Sequence, residues 1–321
     1  MDKHHILIAA AALCAPLLLS TQAVAEYPER PVHIIVGSAA GGSNDLVPRL
    51  IGAKLKDKWA QPVVVENRPS DSNIVGMGIV QQAAPDGYTL LIVNNNYTVT
   101  ASQVKWDYDP VKSFEPVSLL AGNTEVLVIN STVPARTFKE FVDYAKANPG
   151  KLNFGSSGIG DPSRLAMLLL MQRAGLDIVN INYKGGAEAY TAVLSGEINM
   201  IYASLANANP MIQDKKITAL AVSSAVRHPL IPDVPTTAEA GNLPGFDVTG
   251  WIGLLAPAKT PKAIIQKISA DMAEVLKAPD IQQNLINRAI LPFGTTPEQF
   301  GDFIRTDIPQ WENILKALDK K

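Results

Sequence analysis

Two turns of small residues have the composition of backbone anion sites. The first, residues 38–45, follows an apolar run at 32–36 and opens a helical pattern of leucine and valine. The second, residues 156–163, also follows a predicted strand, and Asp161 with Pro162 is typical of a helix start. At a helix start the first N–H groups lack partners and the helix dipole is positive, so such turns can bind an anion. The alternative for each is an ordinary strand-to-helix turn whose glycines only make the bend.

Polar residues around these turns complete a candidate ligand site. Asn94 and Asn95 follow a third predicted strand, Arg164 follows the second turn, and Lys184 lies in a further glycine loop. Each backbone N–H bond to a desolvated carboxylate contributes roughly 1.5–3 kcal/mol, so several of them hold an acid without an obligatory arginine. For Asp45 the alternative is a role at its own helix dipole, and for Lys184 a solvated loop position. The residues predicted from these patterns to bind the ligand are Ser38, Ala39, Ala40, Gly41, Gly42, Ser43, Asp45, Asn94, Asn95, Ser156, Ser157, Gly158, Gly160, Ser163, Arg164 and Lys184.

The elements that must position these turns alternate between strand and helix patterns. Helical patterns separate most of the predicted strands, which are residues 32–36, 63–66, 90–93, 125–129, 152–155, 178–181, 199–202, 217–222 and 248–255. This order predicts an α/β protein with mostly parallel sheets flanked by helices, whose strand ends form a crevice. A change of character near residue 122 and a proline-rich connection at 227–244 divide the chain. The predicted lobes are residues 26–124 with 249–321, and residues 125–248.

The N-terminal segment has the pattern of an export signal. Residues 6–19 are continuously apolar, Lys3 precedes them, and Ala23-Val24-Ala25 is an A-x-A cleavage site. The apolar run is shorter than the roughly 20 residues that a membrane span needs. Removal of residues 1–25 also removes Cys14, the one cysteine of the sequence, so no disulfide is expected. We therefore expect a cleaved signal peptide at 1–25 and a soluble protein of the periplasm.

The charge and the histidines narrow the classes of function. The formal net charge of the 321 residues is −2 and no basic run exceeds two residues, which argues against nucleic acid and anionic membranes as partners. Beyond the signal peptide the histidines are His33 and His228, neither spaced with metal ligands or a serine nucleophile. No Walker A, G-x-G-x-x-G or G-x-S-x-G motif occurs. We expect no metal, no cofactor and no enzyme activity, with a hydrolase using Ser156 or Ser157 as a disfavoured alternative.

Short motifs along the whole chain after the signal peptide resemble one known family. The segments that carry the resemblance are Tyr27-Pro28 with Arg30-Pro31, Ala40-Gly41-Gly42 with Asp45, residues 62–69 (PVVVENRP), 84–90 (APDGYTL) and 108–112 (YDPVK), Ser156-Ser157-Gly158 with Gly160, and residues 183–185 (YKG), 232–236 (PDVPT) and 254–257 (LLAP). So many matches in one order are specific. The chain resembles the periplasmic solute-binding proteins of tripartite tricarboxylate transporters, the Bug or TctC-like family.

The resemblance implies a fold, a ligand class and partners. The fold is a two-lobed periplasmic binding protein of the type II-like, Venus-flytrap class, with a ligand carboxylate held between the turns at 38–45 and 156–163. The implied ligand is a small organic acid, and the implied partners are the membrane subunits of a tripartite tricarboxylate-type secondary transporter. No cofactor is implied, and we expect a monomer. A ligand sensor for a membrane receptor would have the same architecture, so this alternative stays open.

Departures from the family pattern bear on the choice of ligand. Many members carry an acidic residue where this chain has Ala203 followed by Ser204, and these two residues join the predicted site. In amino-acid-binding relatives that acid would meet an ammonium group, so Ala203 indicates a ligand without an amine. Arg164 stands where the family has a histidine and is expected to pair with a second carboxylate. The resemblance therefore implies a dicarboxylate or an aromatic acid.

Overall fold

The computed structural model describes residues 27–70, 73–103, 109, 111–157, 161–183 and 185–318. The predicted signal peptide at 1–25 lies outside this part of the chain, as do the predicted site residues Gly158, Gly160 and Lys184. The strands, in chain order, are β1 (Val32–Val36), β2 (Val63–Asn67), β3 (Thr89–Asn94), β4 (Phe114–Asn123), β5 (Glu125–Ile129), β6 (Asn153–Ser157), β7 (Val179–Tyr183), β8 (Met200–Ser204), β9 (Thr218–Val222), β10 (Gly250–Pro257) and β11 (Ile290–Pro292). The helices, in chain order, are α1 (Ser43–Trp59), α2 (Ile74–Gln81), α3 (Asn95–Gln103), α4 (Phe138–Ala147), α5 (Pro162–Ala174), α6 (Gly186–Ser195), α7 (Leu205–Gln213), α8 (Thr237–Gly241), α9 (Lys262–Leu276), α10 (Pro279–Ile286) and α11 (Pro297–Leu318).

The strands form two sheets, and the chain passes between them twice, in two segments that we call the crossover. Sheet A has the order β11-β4-β10-β3-β1-β2, and sheet B has the order β7-β6-β8-β5-β9. The chain leaves sheet A at the end of β4 and enters sheet B at the start of β5, with Thr124 between the two strands. It returns after β9 to begin β10 in sheet A. The predicted class, an α/β fold with two lobes built on helix-flanked sheets, is confirmed, while the sequence boundaries of the lobes stay a prediction.

The sheets are mixed, which corrects the expectation of mostly parallel pairing. In sheet A, β1 pairs in parallel with β2 and β3, but β10 is antiparallel to both β3 and β4. In sheet B, β6 is parallel to β7 and β8, but β5 is antiparallel to β8 and β9. The antiparallel strands β5 and β10 are those that cross between the sheets. They enter their new sheet from the crossover edge and therefore run against the strands that end there.

Both faces of each sheet are covered by helices, which explains why the central strands are apolar throughout. One face of sheet A packs on α1 and α9, and its other face on α3 and α11. Sheet B packs on α4 and α5 on one face and on α6 and α7 on the other. Trp251 of β10 is a core residue that contacts Phe300 and Phe303 of α11 edge-on. Within the described residues, no helix is long and apolar enough to cross a membrane.

Helix α11 packs on both sheets. Phe300 and Ile304, in its first half, belong to the apolar cluster against sheet A. Trp311 and Ile314, in its second half, belong to the cluster that lies between sheet B and α5. Between the halves the buried carboxylate of Asp307 accepts hydrogen bonds from the Thr98 hydroxyl at 2.6 Å and the Trp311 indole N–H at 2.9 Å. The helix therefore ties the two lobes together through a continuous buried face.

Acidification is expected to destabilise the protein through His228, whose ring is fully buried. Burial lowers the pKa of His228 to about 4, below the roughly 6.5 of an unfolded histidine. Between these values the unfolded chain binds more protons, so stability falls as the pH drops from about 6.5 to 4, by at most about 3 kcal/mol. His228→Asn removes the titration while its amide oxygen can still accept the Leu230 N–H bond that Nδ1 accepts now. Urea unfolding at pH 7, 5.5 and 4.5 should give a smaller pH slope for the variant, and equal slopes would contradict this assignment.

Candidate functional site

The carboxyl ends of parallel strands in both sheets point toward the crossover. Asn94, at the end of β3, lies opposite Ile252 at the start of β10. Ser204, at the end of β8, lies opposite Glu125 at the start of β5. Loops that follow parallel strands at such edges are where α/β proteins bind ligands. The edge shared by the two sheets is therefore the candidate site.

On the sheet A side this edge holds a cavity of about 440 Å³. Its walls come from the loops after β1, β2 and β3, and none of the described lining residues is charged. The lining residues are Gly37, Ser38, Ala39, Pro69, Ser70, Asn73, Asn94 and Asn96. Amide and hydroxyl groups donate and accept hydrogen bonds, so this wall can orient a polar group of a ligand without contributing a charge.

Asn73 reaches the cavity because Gly37 leaves room for it. A Cβ atom on Gly37 would lie 2.5 Å from Asn73 Oδ1 and 2.7 Å from Asn73 Cβ. Asn73 itself has the left-handed backbone conformation, with φ 62°, just before α2. Asparagine tolerates this conformation better than most residues. Gly37, Asn73 and Asn96 were missed in the sequence, where Asn73 and Asn96 belong to polar stretches without a recognisable motif.

Gly37→Ala is expected to weaken ligand binding by about tenfold, because the added methyl group pushes the Asn73 side chain from its place and costs roughly one hydrogen bond. The loss should be seen by calorimetric titration with an acid that the wild-type protein binds. Gly78→Ala, on α2, has open space around its Cβ and should leave the affinity unchanged. Equal affinity of Gly37→Ala and wild type would remove the cavity wall from the site.

In the first predicted turn, residues 38–45, the carboxylate of Asp45 already accepts one of the backbone N–H groups. Asp45 is 6% exposed and accepts hydrogen bonds from Gly41 N at 3.0 Å, Arg49 Nε at 2.9 Å and Asn67 Nδ2 at 3.0 Å. The Arg49 hydrogen bond, followed by those of Gly41 and Asn67, holds the pKa of Asp45 below its usual range. In the structure Asp45 shapes the turn and complements the dipole of α1, and its predicted contact with a ligand stays a prediction.

The backbone N–H groups in the first part of this turn have no hydrogen-bond acceptor among the described residues. Among the described residues, none accepts a hydrogen bond from the backbone N–H of Ser38, Ala39 or Ala40. Gly41 has φ 97°, a conformation that favours glycine, and Gly42 is the residue before α1. The turn therefore offers backbone donors at Ser38, Ala39 and Ala40 but not at Gly41.

The three asparagines at the end of β3 and the start of α3 have different roles. Asn94 lines the cavity, and its Oδ1 accepts the Asn96 N–H at 3.1 Å. Asn95 is buried, and its side chain accepts the Trp251 N–H at 2.8 Å and donates to the Thr249 carbonyl at 3.4 Å. Asn95 thus holds the start of β10 against α3, whereas Asn94 and Asn96 face the cavity.

The second turn joins β6 to α5. Ser157 is the last residue of β6, and Asp161 caps α5 by accepting the Ser163 N–H at 3.1 Å. The Ser156 hydroxyl is fully buried and lies 2.8 Å from Asn180 Oδ1 and 3.3 Å from Asn182 Oδ1, on β7. The Ser156 hydroxyl is therefore hydrogen-bonded within sheet B and contacts neither His33 nor His228. His33 instead pairs with Glu66 at 2.6 Å, on the surface of sheet A.

Three polar groups, two at the start of α5 and one between β4 and β5, have no partner among the described residues. They are the hydroxyls of Thr124 (1% exposed) and Ser163 (5% exposed) and the Nε of Arg164. Arg164 also forms no ion pair within the part of the chain that the structure describes. Buried polar groups are nearly always hydrogen-bonded, so these three groups need an explanation. A bound anion would supply the missing acceptors.

Asn123, at the end of β4, brings the two turns together. Its Nδ2 donates to the Ser43 hydroxyl, at the start of α1, at 3.0 Å. A Cβ atom on Gly250 would lie 3.3 Å from both Asn123 Cβ and Pro162 Cγ, so Asn123 and the start of α5 both pack against Gly250. The starts of α1 and α5 therefore lie on either side of the crossover.

Ala203 and Ser204, at the end of β8, point to opposite faces of sheet B. Ala203 is buried in the apolar cluster under α6 and α7, away from α5. Ser204 lies opposite Glu125, and its side chain does not cap α7. Ser204 therefore remains at the edge of the site, whereas Ala203 is part of the core. Among the described residues, no group of three or more His, Cys, Asp or Glu side chains is placed to hold a metal ion.

Two helix-flanked sheets joined by crossing strands, with a polar cavity and open donors at the shared edge, define a two-lobed solute-binding protein. The profile of the tripartite tricarboxylate transporter family receptor, TctC, matches residues 47–320. The chain belongs to this family, as the resemblance of its motifs implied.

Relatives along the full length support this assignment. The chain is similar to a UPF0065 protein of Bordetella pertussis, with 33% identity over 319 residues that cover 98% of each chain. It is similar in structure to a Rhodopseudomonas palustris protein determined with adipate, with a TM-score of 0.74, 28% identity, and coverage of 91% of this chain and 98% of the other. It is also similar to MatC from Rhodopseudomonas palustris with bound malate, with a TM-score of 0.70, 31% identity, and coverage of 90% and 99%.

Proposed function

We propose that this protein binds a small organic carboxylate without an amine, a dicarboxylate or an aromatic acid, between its two lobes. The acid is delivered in the periplasm to the membrane subunits of a tripartite tricarboxylate-type secondary transporter. The observation that carries the proposal is the set of unpaired donors at the start of α5. Among the described residues the half-buried guanidinium of Arg164 has no carboxylate partner and the neighbouring Ser163 hydroxyl has no hydrogen bond, and an anionic ligand would complete both groups.

Each lobe contributes different groups to the proposed site. The Thr124, Ser163 and Arg164 side chains on the sheet B side bind one carboxylate, because charge-assisted hydrogen bonds to an arginine are the strongest available here. The backbone donors at Ser38, Ala39 and Ala40, with Asn73, Asn94 and Asn96, orient the rest of the molecule on the sheet A side. The lobes are residues 26–124 with 249–321, and residues 125–248, and the protein is a monomer with a cleaved signal peptide at 1–25.

The relatives support the ligand class and the partner class. Adipate and malate, bound to the two Rhodopseudomonas palustris proteins, are both dicarboxylates without an amine. The family profile is that of a transporter receptor, which supports a transport role over an isolated binding role. The chemistry of the site needs no cofactor, because reversible capture of an acid uses hydrogen bonds and charge alone.

A binding screen tests this proposal. The protein from residue 26 onward is titrated calorimetrically with adipate, malate, benzoate, aspartate and glutamate. We expect at least one amine-free acid to bind with a dissociation constant in the micromolar range or below, and the amino acids to bind far more weakly. Binding of the amino acids alone, or of none of the acids, would overturn the proposed ligand class.

A second measurement separates transport from sensing. Uptake of the radiolabelled acid is measured in cells with and without the membrane subunits encoded for such a transporter. Uptake that needs both this protein and the membrane subunits is the expected result. Binding without any effect on uptake would favour the alternative of a ligand sensor.

A further inference from the structure

Glu125 is the buried acidic residue that the proposed site has not yet used. It is the first residue of β5, directly after Thr124, and 7% of it is exposed. Its side chain lies on the same face of sheet B as Leu127 and Ile129, which pack toward α5. Ser204 lies opposite it on β8. Glu125 is thus at the edge where the unpaired donors of Thr124 and Ser163 are found.

The backbone of Glu125 is fixed, but its carboxyl group is not engaged. The backbone N–H donates to the Ser223 hydroxyl at 3.3 Å and the backbone carbonyl accepts the Ser223 N–H at 2.8 Å. Within the described ranges, no side chain or backbone group hydrogen-bonds to the carboxyl group, and no lysine or arginine pairs with it. A buried carboxyl group without a partner is costly unless something outside the chain completes it.

The charged group that faces Glu125 favours its neutral form. Asp161, the cap of α5, is the charged neighbour among the described residues, while Ser204 and Ser223 on the adjacent strands do not titrate. Burial, and to a smaller extent the charge of Asp161, raises the pKa of Glu125 well above its usual range. Two ionised carboxylates in this place would repel each other, so Glu125 carries a proton while Asp161 accepts the Ser163 N–H.

We propose that Glu125 is a ligand-binding residue whose neutral carboxyl group donates a hydrogen bond to an oxygen of the bound organic acid. A carboxylate oxygen is the acceptor that this donor lacks, and an O–H···O⁻ hydrogen bond is short and strong. The inference rests on the proposed function, because it assigns Glu125 to the acid held at the start of α5. It also has a consequence for the pH dependence of binding. Because the acid is bound together with a proton on Glu125, the affinity is higher at lower pH, within the range in which the acid itself stays ionised.

Two variants of Glu125 test this role against a purely structural one. Glu125→Gln keeps a hydrogen-bond donor of nearly the same shape but does not titrate, whereas Glu125→Ala removes the donor. Wild-type affinity for the acid found in the panel of adipate, malate and benzoate should fall at least tenfold between pH 5.5 and 8.5. Glu125→Gln should bind with a pH-independent affinity, and Glu125→Ala should bind at least tenfold more weakly at pH 5.5. Calorimetry of the wild type in two buffers of different ionisation enthalpy should show proton uptake on binding in the pH range where the affinity falls.

The controls separate failure of this role from failure of the proposed function. Glu140→Gln, in the exposed capping box of α4, should behave as wild type, because glutamine also completes a capping box. If no acid of the panel binds the wild-type protein, the proposed function fails and this role with it. If an acid binds with the same pH-independent affinity to wild type and both Glu125 variants, the proposed function stands and the role of Glu125 is refuted. If aspartate or glutamate binds instead, more tightly at higher pH, and Glu125→Gln abolishes it, Glu125 pairs with an ammonium group and our assignment is wrong.

Discussion

Arg164→Ala is expected to weaken binding of the organic acid by roughly 10- to 100-fold, which corresponds to one lost charge-assisted hydrogen bond of about 1.5–3 kcal/mol. The same substitution should leave the free energy of unfolding nearly unchanged. The reason is that Arg164 makes no ion pair with any described residue, so its removal breaks no native contact of that kind. An unchanged stability together with a large loss of affinity is the signature of a residue that serves the ligand.

Arg173→Ala provides a matched control on the same helix. Arg173 lies in the last turn of α5, is exposed, and donates to the Pro244 carbonyl at 2.8 Å. Its removal should leave the affinity as in the wild type. Calorimetric titration gives the affinities, and urea unfolding gives the stabilities. An Arg164→Ala protein that binds as tightly as Arg173→Ala would show that the guanidinium does not contact the ligand.

Trp311→Ala is expected to lower the free energy of unfolding by roughly 3–5 kcal/mol. Trp311 is 2% exposed within the cluster between sheet B and α5, so its loss leaves a cavity. The substitution also removes a hydrogen-bond donor from the buried carboxylate of Asp307. A loss of this size is a large share of the 5–15 kcal/mol that stabilises a typical protein.

Two further variants divide this loss into its parts. Trp311→Phe keeps most of the ring volume and removes the N–H donor, and should cost about 1–3 kcal/mol. Gln310→Ala changes the exposed neighbouring position and should stay within about 0.5 kcal/mol of the wild type. Urea unfolding followed by far-ultraviolet circular dichroism measures all three without relying on tryptophan fluorescence. A Trp311→Ala protein as stable as Gln310→Ala would mean that the second half of α11 does not hold the lobes together.

The strands and helices around the two turns follow from local sequence signals, but the hydrogen-bond partners within the turns do not. The strands and helices around residues 38–45 and 156–163 are where their patterns predict them, because apolar runs and caps are local signals. The role of Asp45 depends on Arg49, one helical turn further, and on Asn67, at the end of β2. Likewise, the buried hydroxyl of Ser156 is explained by Asn180 and Asn182 on the neighbouring strand. Such pairings are set by the sheet order, which a single sequence does not contain.

Some elements give weak local signals. β4 was missed because Pro116 and Gly122 interrupt its apolar run, and both residues are unfavourable in a regular strand. The structure accommodates Pro116 at an irregularity in the pairing of β4 with β10. Helix α3 begins at Asn95, inside a run of asparagines that reads as a polar turn. The crossover residues Thr124 and Glu125 therefore lacked a recognisable strand before them, and their place in the site was not predicted.

The two crossing segments are hydrogen-bonded to each other at one point. The Ser223 hydroxyl accepts the Glu125 N–H and donates to the Val248 carbonyl at 2.8 Å, while Val248 N donates to the Ser223 carbonyl at 2.9 Å. A rotation of one lobe against the other would use these segments, together with the packing of α11, as its pivot, and points near a pivot move least. Thr124 and Glu125 lie at this pivot. Their positions relative to both lobes therefore change little when the angle between the lobes changes. Under the proposed function, an incoming acid would therefore meet a contact that is already formed at Thr124 and Glu125 before the lobes close.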